Sequence, residues 1–390
     1  MSRFRRPFIL SVVALGALVL TGFLVGDAES SRAESSAYMR GAATPQSISA
    51  MTFAPDGTLF IGDSKGGAVF AIETGGEAVD PTPIALPDIE AAIAARLGTT
   101  ASEVMVHDLA VHPKTNRVFL AVSRGRGDWK SAWQLPNHIA DADVLLTVAA
   151  DGTIEEFAMD DVSFARVELP NPIDAGKKHP WMEEMSLRSD TITDLGYTDG
   201  TLFVAGLSNE EFASTMWKVP LPLSAAATAT TLEIYHGAHG AYETQAPIRT
   251  FVPYTLGDEE HILAAYLCTP LSLFKVDALE NATHLKGRTI AEFGSGNYPL
   301  DMVVVPSEGG DRIFIANSNL PLIIVDIADI AAYEGEIDGP LEEYSAGVEH
   351  LKRSGTGIQQ MELLGDSHLV MLRRMPSGTL DLGSQALRRG

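Results

Sequence analysis

The segment ISAMTFAPDGTLFIGDS at residues 48–64 decides the fold, because versions of it recur along the chain. It has an apolar entry, a turn of Pro, Asp and Gly, and a β-rich run that ends in small polar residues. Three further copies are clear and the last two are weaker: VHDLAVHPKTNRVFLAVS (106–123), ITDLGYTDGTLFVAGLS (192–208), PLDMVVVPSEGGDRIFIANS (299–318), PIRTFVPYTLGDEEHILAAYLC (247–268) and GIQQMELLGDSHLVMLRR (357–374). A unit this short cannot bury its own apolar face, so the copies must pack on one another in a stack or a ring.

The stretch PDGTLFIGDS at 55–64 resembles the repeat of the NHL-repeat and senescence-marker-protein/gluconolactonase β-propellers, and IFIANS at 313–318 repeats its second half. This resemblance implies an all-β, six-bladed β-propeller with long rim-loop insertions. Seven blades stay open, because the interval between the copies near 107 and 192 is longer than the others. The resemblance implies architecture more than activity, since enzymes, binding modules and scaffolds share the unit.

Local sequence patterns predict individual turns, a helix and a closing strand of the ring. The dipeptides Asp56-Gly57 and Asp199-Gly200 predict tight hairpin turns. Residues 88–97 have helical spacing and predict a helix outside the repeat. The last copy looks short of strands, so we expect a segment near 35–47 to pair with it and close the ring.

Composition and charge limit the classes of binding partner that we expect. The net charge of −23 argues against nucleic acid, whose phosphates an acidic protein repels. The chain has one cysteine, which excludes an intramolecular disulfide. The expected partner is a small molecule or another protein.

The N-terminus predicts export. Residues 1–28 have a basic start and an apolar run at 8–25, as in an export signal or a membrane anchor. Arg5-Arg6 also fits a twin-arginine signal. We expect a linker at 29–44, one propeller domain at 45–384 and a tail at 385–390. The expected location is periplasmic or extracytoplasmic, with membrane contact only through residues 8–25 if they are not cleaved.

Aspartates recur near the start of the predicted innermost strands. Asp108, Asp194 and Asp301 occupy equivalent places in the repeat, and Ile248 or Arg249 takes that place in the copy at 247–268. Converging carboxylates would hold Ca²⁺ or another hard divalent ion. His107, beside Asp108, is a candidate ligand or catalytic base, and the resemblance to lactonases implies a channel metal that activates water. The alternative is that the aspartates hydrogen-bond backbone amides between blades.

A second group of candidate ligands begins in the stretch HGAHGAYE at residues 236–243. His236 and His239 are three residues apart among glycines, and Cys268 lies downstream. Imidazole and thiolate ligands suit copper or zinc. The alternative is that Cys268 is a small buried apolar residue and the histidines are loop surface.

Two loops are candidates for ligand contact. The cationic stretch 124–130 supplies Arg124, Arg126 and Trp129 against an acidic body. The loop at 208–215 supplies Asn209, Glu210 and Glu211, and Arg249 is a further candidate. Long loops in a compact β-protein are more often functional than not.

The sequence leaves three functions open. It contains no phosphate-binding loop or zinc-protease helix motif. The first hypothesis is therefore an exported binding propeller, with or without a channel metal. The alternatives are a metal-dependent lactonase or esterase that uses His107, and a copper- or zinc-handling protein.

Overall fold

β-strands make up most of the regular structure in the computed structural model, which describes residues 38–124, 144–179, 186–223 and 226–387. In chain order the strands are β1 (Met39–Gly41), β2 (Ala50–Phe53), β3 (Thr58–Asp63), β4 (Ala68–Glu73), β5 (Ala85–Leu86), β6 (Met105–Val111), β7 (Val118–Ser123), β8 (Val144–Val148), β9 (Ile154–Glu156), β10 (Val162–Glu168), β11 (Asp194–Thr198), β12 (Thr201–Leu207), β13 (Ser214–Pro220), β14 (Thr228–His236), β15 (Ala241–Glu243), β16 (Ile248–Leu256), β17 (Glu259–Tyr266), β18 (Pro270–Lys275), β19 (His284–Lys286), β20 (Arg288–Glu292), β21 (Pro299–Val305), β22 (Arg312–Asn317), β23 (Leu322–Asp326), β24 (Ala346–Gly347), β25 (Leu351–Arg353), β26 (Ile358–Leu364), β27 (His368–Arg374) and β28 (Leu380–Ala386). The α-helices are α1 (Ile89–Leu97), α2 (Val276–Asn281) and α3 (Ile327–Ala332), and short 3-10 turns cover Ala101–Glu103 and Leu187–Thr191. None of the described helices is long and apolar enough to cross a membrane.

The strands form six sheets, which are the blades of a six-bladed β-propeller. From the central channel outwards, the blades are blade 1 (β2-β3-β4-β10-β1), blade 2 (β6-β7-β8-β9), blade 3 (β11-β12-β13-β14-β15, with β19 beside β14), blade 4 (β16-β17-β18-β20-β24), blade 5 (β21-β22-β23-β25) and blade 6 (β26-β27-β28-β5). The predicted six-bladed fold is confirmed. The long interval between the second and third repeats does not hold a seventh blade, since part of it is β10, the fourth strand of blade 1.

The order of the blades around the ring differs from their order in the chain. The innermost strands contact one another in the cyclic order β2, β11, β16, β21, β26, β6. Blade 2 therefore lies between blades 1 and 6. Each of these two flanking blades is completed by a strand from a distant part of the chain. β5, which precedes blade 2 in the sequence, is the outermost strand of blade 6. β10, which follows blade 2 in the sequence, is the fourth strand of blade 1.

The expected closure by residues 35–47 is wrong. The strand at 39–41 pairs with β10 on the outer edge of blade 1, while the last blade is completed by β5. The backbone N–H of Ile84 donates to the hydroxyl of Ser384 at 2.9 Å and fixes this second pairing. A two-residue strand carries too little pattern to be recognised in the sequence.

The core lies between blades. Each pair of neighbouring blades encloses one apolar cluster, such as the one in which Val106 and Leu120 of blade 2 meet Leu364 and Val370 of blade 6. The repeat unit is thus buried by its neighbour, as its length requires. The predicted helix at 88–97 is α1, which buries Ile89 in the same cluster.

The two predicted turns differ in form. Asp199 and Gly200 both have positive φ, at 41° and 76°, and connect β11 directly to β12 as a two-residue hairpin turn. Asp56 and Gly57 end a longer connection, in which the Asp56 carboxylate accepts a 2.8 Å hydrogen bond from the N–H of Thr58. Both turns orient the following strand back along the channel.

The channel has two ends. Neighbouring strands within each blade are antiparallel, so the innermost strands all begin at one end and the loops between second and third strands return to it. We call this end the entry face and the opposite end the exit face. The connections from outer strands to the next innermost strand also reach the entry face.

Candidate functional site

β-Bulges shape the channel wall near the entry face. The register shifts by one residue in four innermost strands, at His107, Arg249, Leu300 and Gln359. A bulge turns the extra side chain away from its regular direction. His107, Arg249 and Leu300 line a void of about 20 Å³ inside the channel, enough for roughly one water-sized group.

Three aspartates line up in alternate blades around the ring, and two of them, Asp108 and Asp301, directly follow a bulge. Asp108 belongs to blade 2, Asp194 to blade 3 and Asp301 to blade 5. The equivalent positions of the intervening blades hold Ala50, Thr250 and Gln360. The assignment of Ile248 or Arg249 to this place is therefore wrong, because the bulge at Arg249 moves the register to Thr250.

Each of these aspartates hydrogen-bonds the next blade. One carboxylate oxygen accepts from a backbone N–H of the neighbouring innermost strand. The pairs are Asp108 with Met51 N at 2.5 Å, Asp194 with Phe251 N at 2.8 Å and Asp301 with Met361 N at 2.5 Å. We call these contacts the inter-blade staples. They are the backbone contacts that the sequence left open as the alternative to metal ligation.

Burial in the narrow channel perturbs these carboxyl groups. It raises the pKa of Asp194 to about 7, and burial also raises the pKa of Glu362 to about 7. The pKa values of Asp108 and Asp301 lie well above the usual range, again chiefly because of burial and also because other channel carboxylates are near. The channel therefore favours protonated carboxyls or a bound cation.

A hard-cation centre in the channel stays a prediction. Ca²⁺ needs six to eight oxygen ligands, roughly 2.3–2.6 Å from the ion. Among the described residues, these aspartates do not belong to a group of three ligand atoms lying within 4.8 Å of one another. The staples alone account for the recurrence of Asp108, Asp194 and Asp301.

His107 is buried in blade 2. Its Nε2 contacts the hydroxyl of Ser123, and its backbone carbonyl accepts a 3.3 Å hydrogen bond from Gln360. The ring borders the channel void beside Asp108. Its role as a base stays a prediction, since this position is also explained by the contact with Ser123.

Buried polar atoms without partners concentrate at one place. Six described residues carry a buried side-chain nitrogen or oxygen that makes no hydrogen bond, and such groups are rare in folded proteins. Five of the six lie at the entry face, in blades 3 and 4 or in the turn that leads into blade 3: Thr191, Ser214, His236, Arg249 and Tyr266. We call this region the seam site.

Arg249 is the main charged group of the seam site. The residue is only 4% exposed, and its Nη1 donates to the Asp190 carboxylate at 3.2 Å. Its Nε and Nη2 have no hydrogen-bond partner in the described protein. These two nitrogens form the edge of a guanidinium that binds a carboxylate through two parallel hydrogen bonds.

Two tyrosines belong to this part of the entry face: Tyr266 pairs across the sheet with Ile248, and Tyr298 lies in the electrostatic field of Arg249. Burial strongly raises the pKa of Tyr266, whose hydroxyl lies beside Ser214 but makes no hydrogen bond of normal geometry with a described residue. Burial raises the pKa of Tyr298 as well, while the charge of Arg249 opposes this and Cys268 adds to it. Tyr298 is therefore within electrostatic range of both Arg249 and Cys268.

The predicted His236, His239 and Cys268 group is brought together at the same face. One ligand atom from each residue lies within 4.8 Å of those of the other two. His236 ends β14 of blade 3, and Cys268 lies in the loop between the second and third strands of blade 4. Residues that are far apart in the sequence thus meet across one blade boundary.

The loop at 208–215 is held by protein contacts. The Asn209 side chain donates to Asp174 at 3.1 Å, Glu210 accepts from Asn171, and the carbonyl of Glu211 accepts from Gln245 at 2.5 Å. This loop lies at the entry face of blade 3. Its part in ligand binding stays a prediction.

The cationic loop is described only at its start. Arg124 is exposed at the entry-face end of β7. Arg126 and Trp129 lie outside the described residues.

A larger cavity of about 590 Å³ opens at the exit face between blades 1 and 2. Its charged groups are mostly engaged: Arg117 pairs with Glu155 at 2.9 Å, and Nε2 of His112 meets the carbonyl of Gly75 at 2.8 Å. The seam site has the unsatisfied polar atoms that this cavity lacks among the residues described. We therefore regard the seam site as the better candidate.

Sequence reasoning missed several members of the seam site. Asp190 sits in a short 3-10 turn without any motif, and Tyr266 lies at the end of a strand that looks apolar. Glu292, which holds the turn between the two histidines, has no local signal either. The sequence did indicate His236, Arg249 and the loop at 208–215 that contains Ser214, but as separate candidates and not as one site.

Comparisons with known proteins identify no family for this chain. No family model and no curated protein matches the sequence. Solved structures that resemble the chain include a luciferin-regenerating enzyme, with 9% identity, coverage of 90% of this chain and 96% of that chain, and a TM-score of 0.35. Others are extracellular domains 1–2 of Drosophila semaphorin 1b (11% identity, 90% and 87% coverage, TM-score 0.36) and a Thermus thermophilus oxidoreductase named as a glucose dehydrogenase (10% identity, 90% and 100% coverage, TM-score 0.36). Similarity at this level carries no argument about function.

Proposed function

We propose that the protein is a binding propeller that takes a small carboxylate-bearing molecule at the seam site. The observation that carries the proposal is the buried Arg249, whose Nε and Nη2 lack an acceptor among the described residues. A buried guanidinium with three of its five N–H donors unpaired is unfavourable unless a ligand or solvent completes it. A carboxylate matches this edge in both shape and charge.

Two acids of the protein lie near Arg249, and one of them carries only part of its charge near neutral pH. Asp190 already pairs with Arg249, and Asp194 is another acid whose pKa responds to this guanidinium. Since burial raises the pKa of Asp194 to about 7, its negative charge is partly removed near neutral pH. The void of about 20 Å³ beside Arg249 has room for one oxygen atom, and burial raises the pKa of the aspartates that share this void, Asp108, Asp194 and Asp301.

Recognition of the remaining ligand would come from hydroxyl groups of the seam site. The hydroxyls of Tyr266 and Ser214 lie beside each other and make no other hydrogen bond with a described residue, and each can donate and accept. A hydroxy acid or a keto acid fits this set better than a purely apolar acid. Leaving such groups unpaired would select against analogues that lack the polar substituent.

The test compares carboxylic acids with their amides. Purified protein is titrated with a panel of small mono-, di-, hydroxy- and keto-acids, each beside its amide, by calorimetry and thermal shift. We expect saturable binding of at least one acid, no binding of its amide, and loss in both Arg249→Gln and Arg249→Lys. Lysine keeps the charge but not the two-pronged edge.

The matched control is Arg312→Gln, which removes a partly exposed arginine paired with Asp326 near the exit face. It should bind the acid like the unmodified protein. Failure of every acid to bind, or equal binding by Arg249→Gln, would contradict the proposal.

We further propose that the chain is exported, with residues 1–28 as signal or anchor. The support is the sequence pattern of that segment, which lies outside the described residues. Fractionation of cells that express the full chain, with and without Arg5→Lys and Arg6→Lys, tests both export and the twin-arginine route.

A further inference from the structure

We infer that His236, His239 and Cys268 bind a soft or borderline transition-metal ion, Zn²⁺ or copper. This site goes beyond the carboxylate function proposed above and does not depend on it. The three side chains each offer one ligand atom, all within 4.8 Å of one another. The remaining contacts hold these side chains in position.

The histidines are brought together by a tight turn. The rings of His236 and His239 lie with their centroids 3.8 Å apart, and the N–H of His239 donates to the carbonyl of His236 at 3.2 Å. The carboxylate of Glu292 holds this turn in place by accepting hydrogen bonds from the backbone N–H groups of Gly237 and Ala238. The two imidazoles are thus held on one side of a short loop.

Glu243 orients both rings. Its Oε1 lies 3.0 Å from Nδ1 of His236 and 2.5 Å from Nδ1 of His239. Metal-bound histidines usually place their second ring nitrogen against a carboxylate in this way. Each ring then keeps Nε2 for an ion.

His236 gives an independent indication of a ligand. The residue is 1% exposed, and neither ring nitrogen makes a hydrogen bond of normal geometry with a described residue, although Nδ1 faces Glu243 at 3.0 Å. A buried imidazole in this state calls for a further partner. A metal ion bound at Nε2 supplies it.

The backbone around Cys268 is unusual. Cys268 and Thr269 are consecutive non-glycine residues with positive φ, at 61° and 72°. Such conformations are unfavourable for residues with a side chain and tend to occur at functional sites. The N–H of Gly296 points at the Cys268 sulfur at 3.5 Å.

The donor types decide the class of ion. Thiolate and imidazole suit zinc and copper, whereas Ca²⁺ and Mg²⁺ take oxygen ligands. The carboxylates of Glu243 and Glu292 offset the charge of the ion. Three protein ligands would leave a fourth position for an exogenous group.

The experiment uses the full chain, reduced and freed of metal by a chelator. It is titrated separately with Zn²⁺, Cu⁺ under anaerobic conditions, and Co²⁺ as a spectroscopic probe, and bound metal is measured by elemental analysis. We expect one equivalent per chain and, with Co²⁺, a sulfur-to-cobalt charge-transfer band. Cys268→Ser should abolish the band and weaken binding at least 100-fold, and His239→Gln should weaken it at least tenfold.

Two control variants test whether binding is specific to these three side chains. His368→Gln removes a histidine whose Nδ1 meets Ser367 in blade 6, and it should bind metal normally. Arg249→Gln should also bind metal normally, even where it loses the carboxylate. Absence of stoichiometric Zn²⁺, copper and Co²⁺ binding, or undiminished binding by both Cys268→Ser and His239→Gln, would overturn the inference.

Discussion

The carboxylate of Asp194 in blade 3 accepts a 2.8 Å hydrogen bond from the backbone N–H of Phe251 in blade 4. Asp108 and Asp301 make the same contact to the blade that follows them around the ring. The three staples point in one rotational direction and link the blades in pairs: 3 with 4, 5 with 6, and 2 with 1. The propeller thus has an approximate threefold pattern within its six blades.

Removing a staple should destabilise the ring. Asp194→Ala and Asp301→Ala each leave a buried N–H without its acceptor, so we expect a loss of about 1–3 kcal/mol in the free energy of unfolding. Urea unfolding measures it, and Asp258→Ala in the exposed turn between β16 and β17 is the control. If the aspartates acted only as metal ligands, the metal-free protein would show no such loss.

The staple carboxyls should make stability depend on pH. Burial raises the pKa of Asp194 to about 7, whereas an unfolded aspartate titrates near 3.9. The folded state therefore holds more protons between these values, and the free energy of unfolding should fall as the pH rises from about 4 to about 7.

The Asp194→Asn variant cannot ionise at this position and should reduce this slope. The reduction is at most about 1.4 kcal/mol per pH unit for one proton. Chelator-treated protein is unfolded in urea at intervals from about pH 4.5 to about pH 8, a range that spans the folded pKa. A slope unchanged by Asp194→Asn, or stability that rises over this range, would show that the carboxyl is not buried in its protonated form.

The ring itself could be predicted because its signals are local. A turn followed by alternating apolar residues identifies each inner hairpin, and six such units indicate six blades. The order of the blades could not be predicted. It depends on β5 and β10, outer strands that pair with residues hundreds of positions away or across an inserted blade.

The site was predictable only in part. The sequence placed Asp108, Asp194 and Asp301 in one register, but a carboxylate in that place can bind either a cation or a neighbouring N–H. That choice depends on distances that residue spacing does not fix. His236 and Cys268 meet because two entry-face loops of adjacent blades face each other, a tertiary relationship without a local pattern.

The pair of Arg249 and Asp190 should behave as a coupled unit. Both side chains are largely buried, at 4% and 13% exposure, so Asp190→Asn leaves a guanidinium without its carboxylate partner. Breaking such a pair costs about 3–5 kcal/mol when it is fully buried, and we expect about 2–4 kcal/mol here. Arg249→Met combined with Asp190→Asn should lose less than the sum of the single changes. Additive losses in this double-mutant cycle would mean that the two side chains do not interact.

Gly206 should control the position of Asp190. A Cβ at Gly206 would lie 1.9 Å from the carbonyl oxygen of Thr191, so alanine there must displace the backbone that carries Asp190. We expect Gly206→Ala to weaken carboxylate binding at least tenfold, because Arg249 loses its orienting partner. The matched control is Gly383→Ala in β28, where a Cβ meets nothing within 4 Å. Calorimetry measures binding and circular dichroism checks that both variants fold. Folded Gly206→Ala with unchanged affinity would show that the turn at Asp190 does not position Arg249 for its ligand.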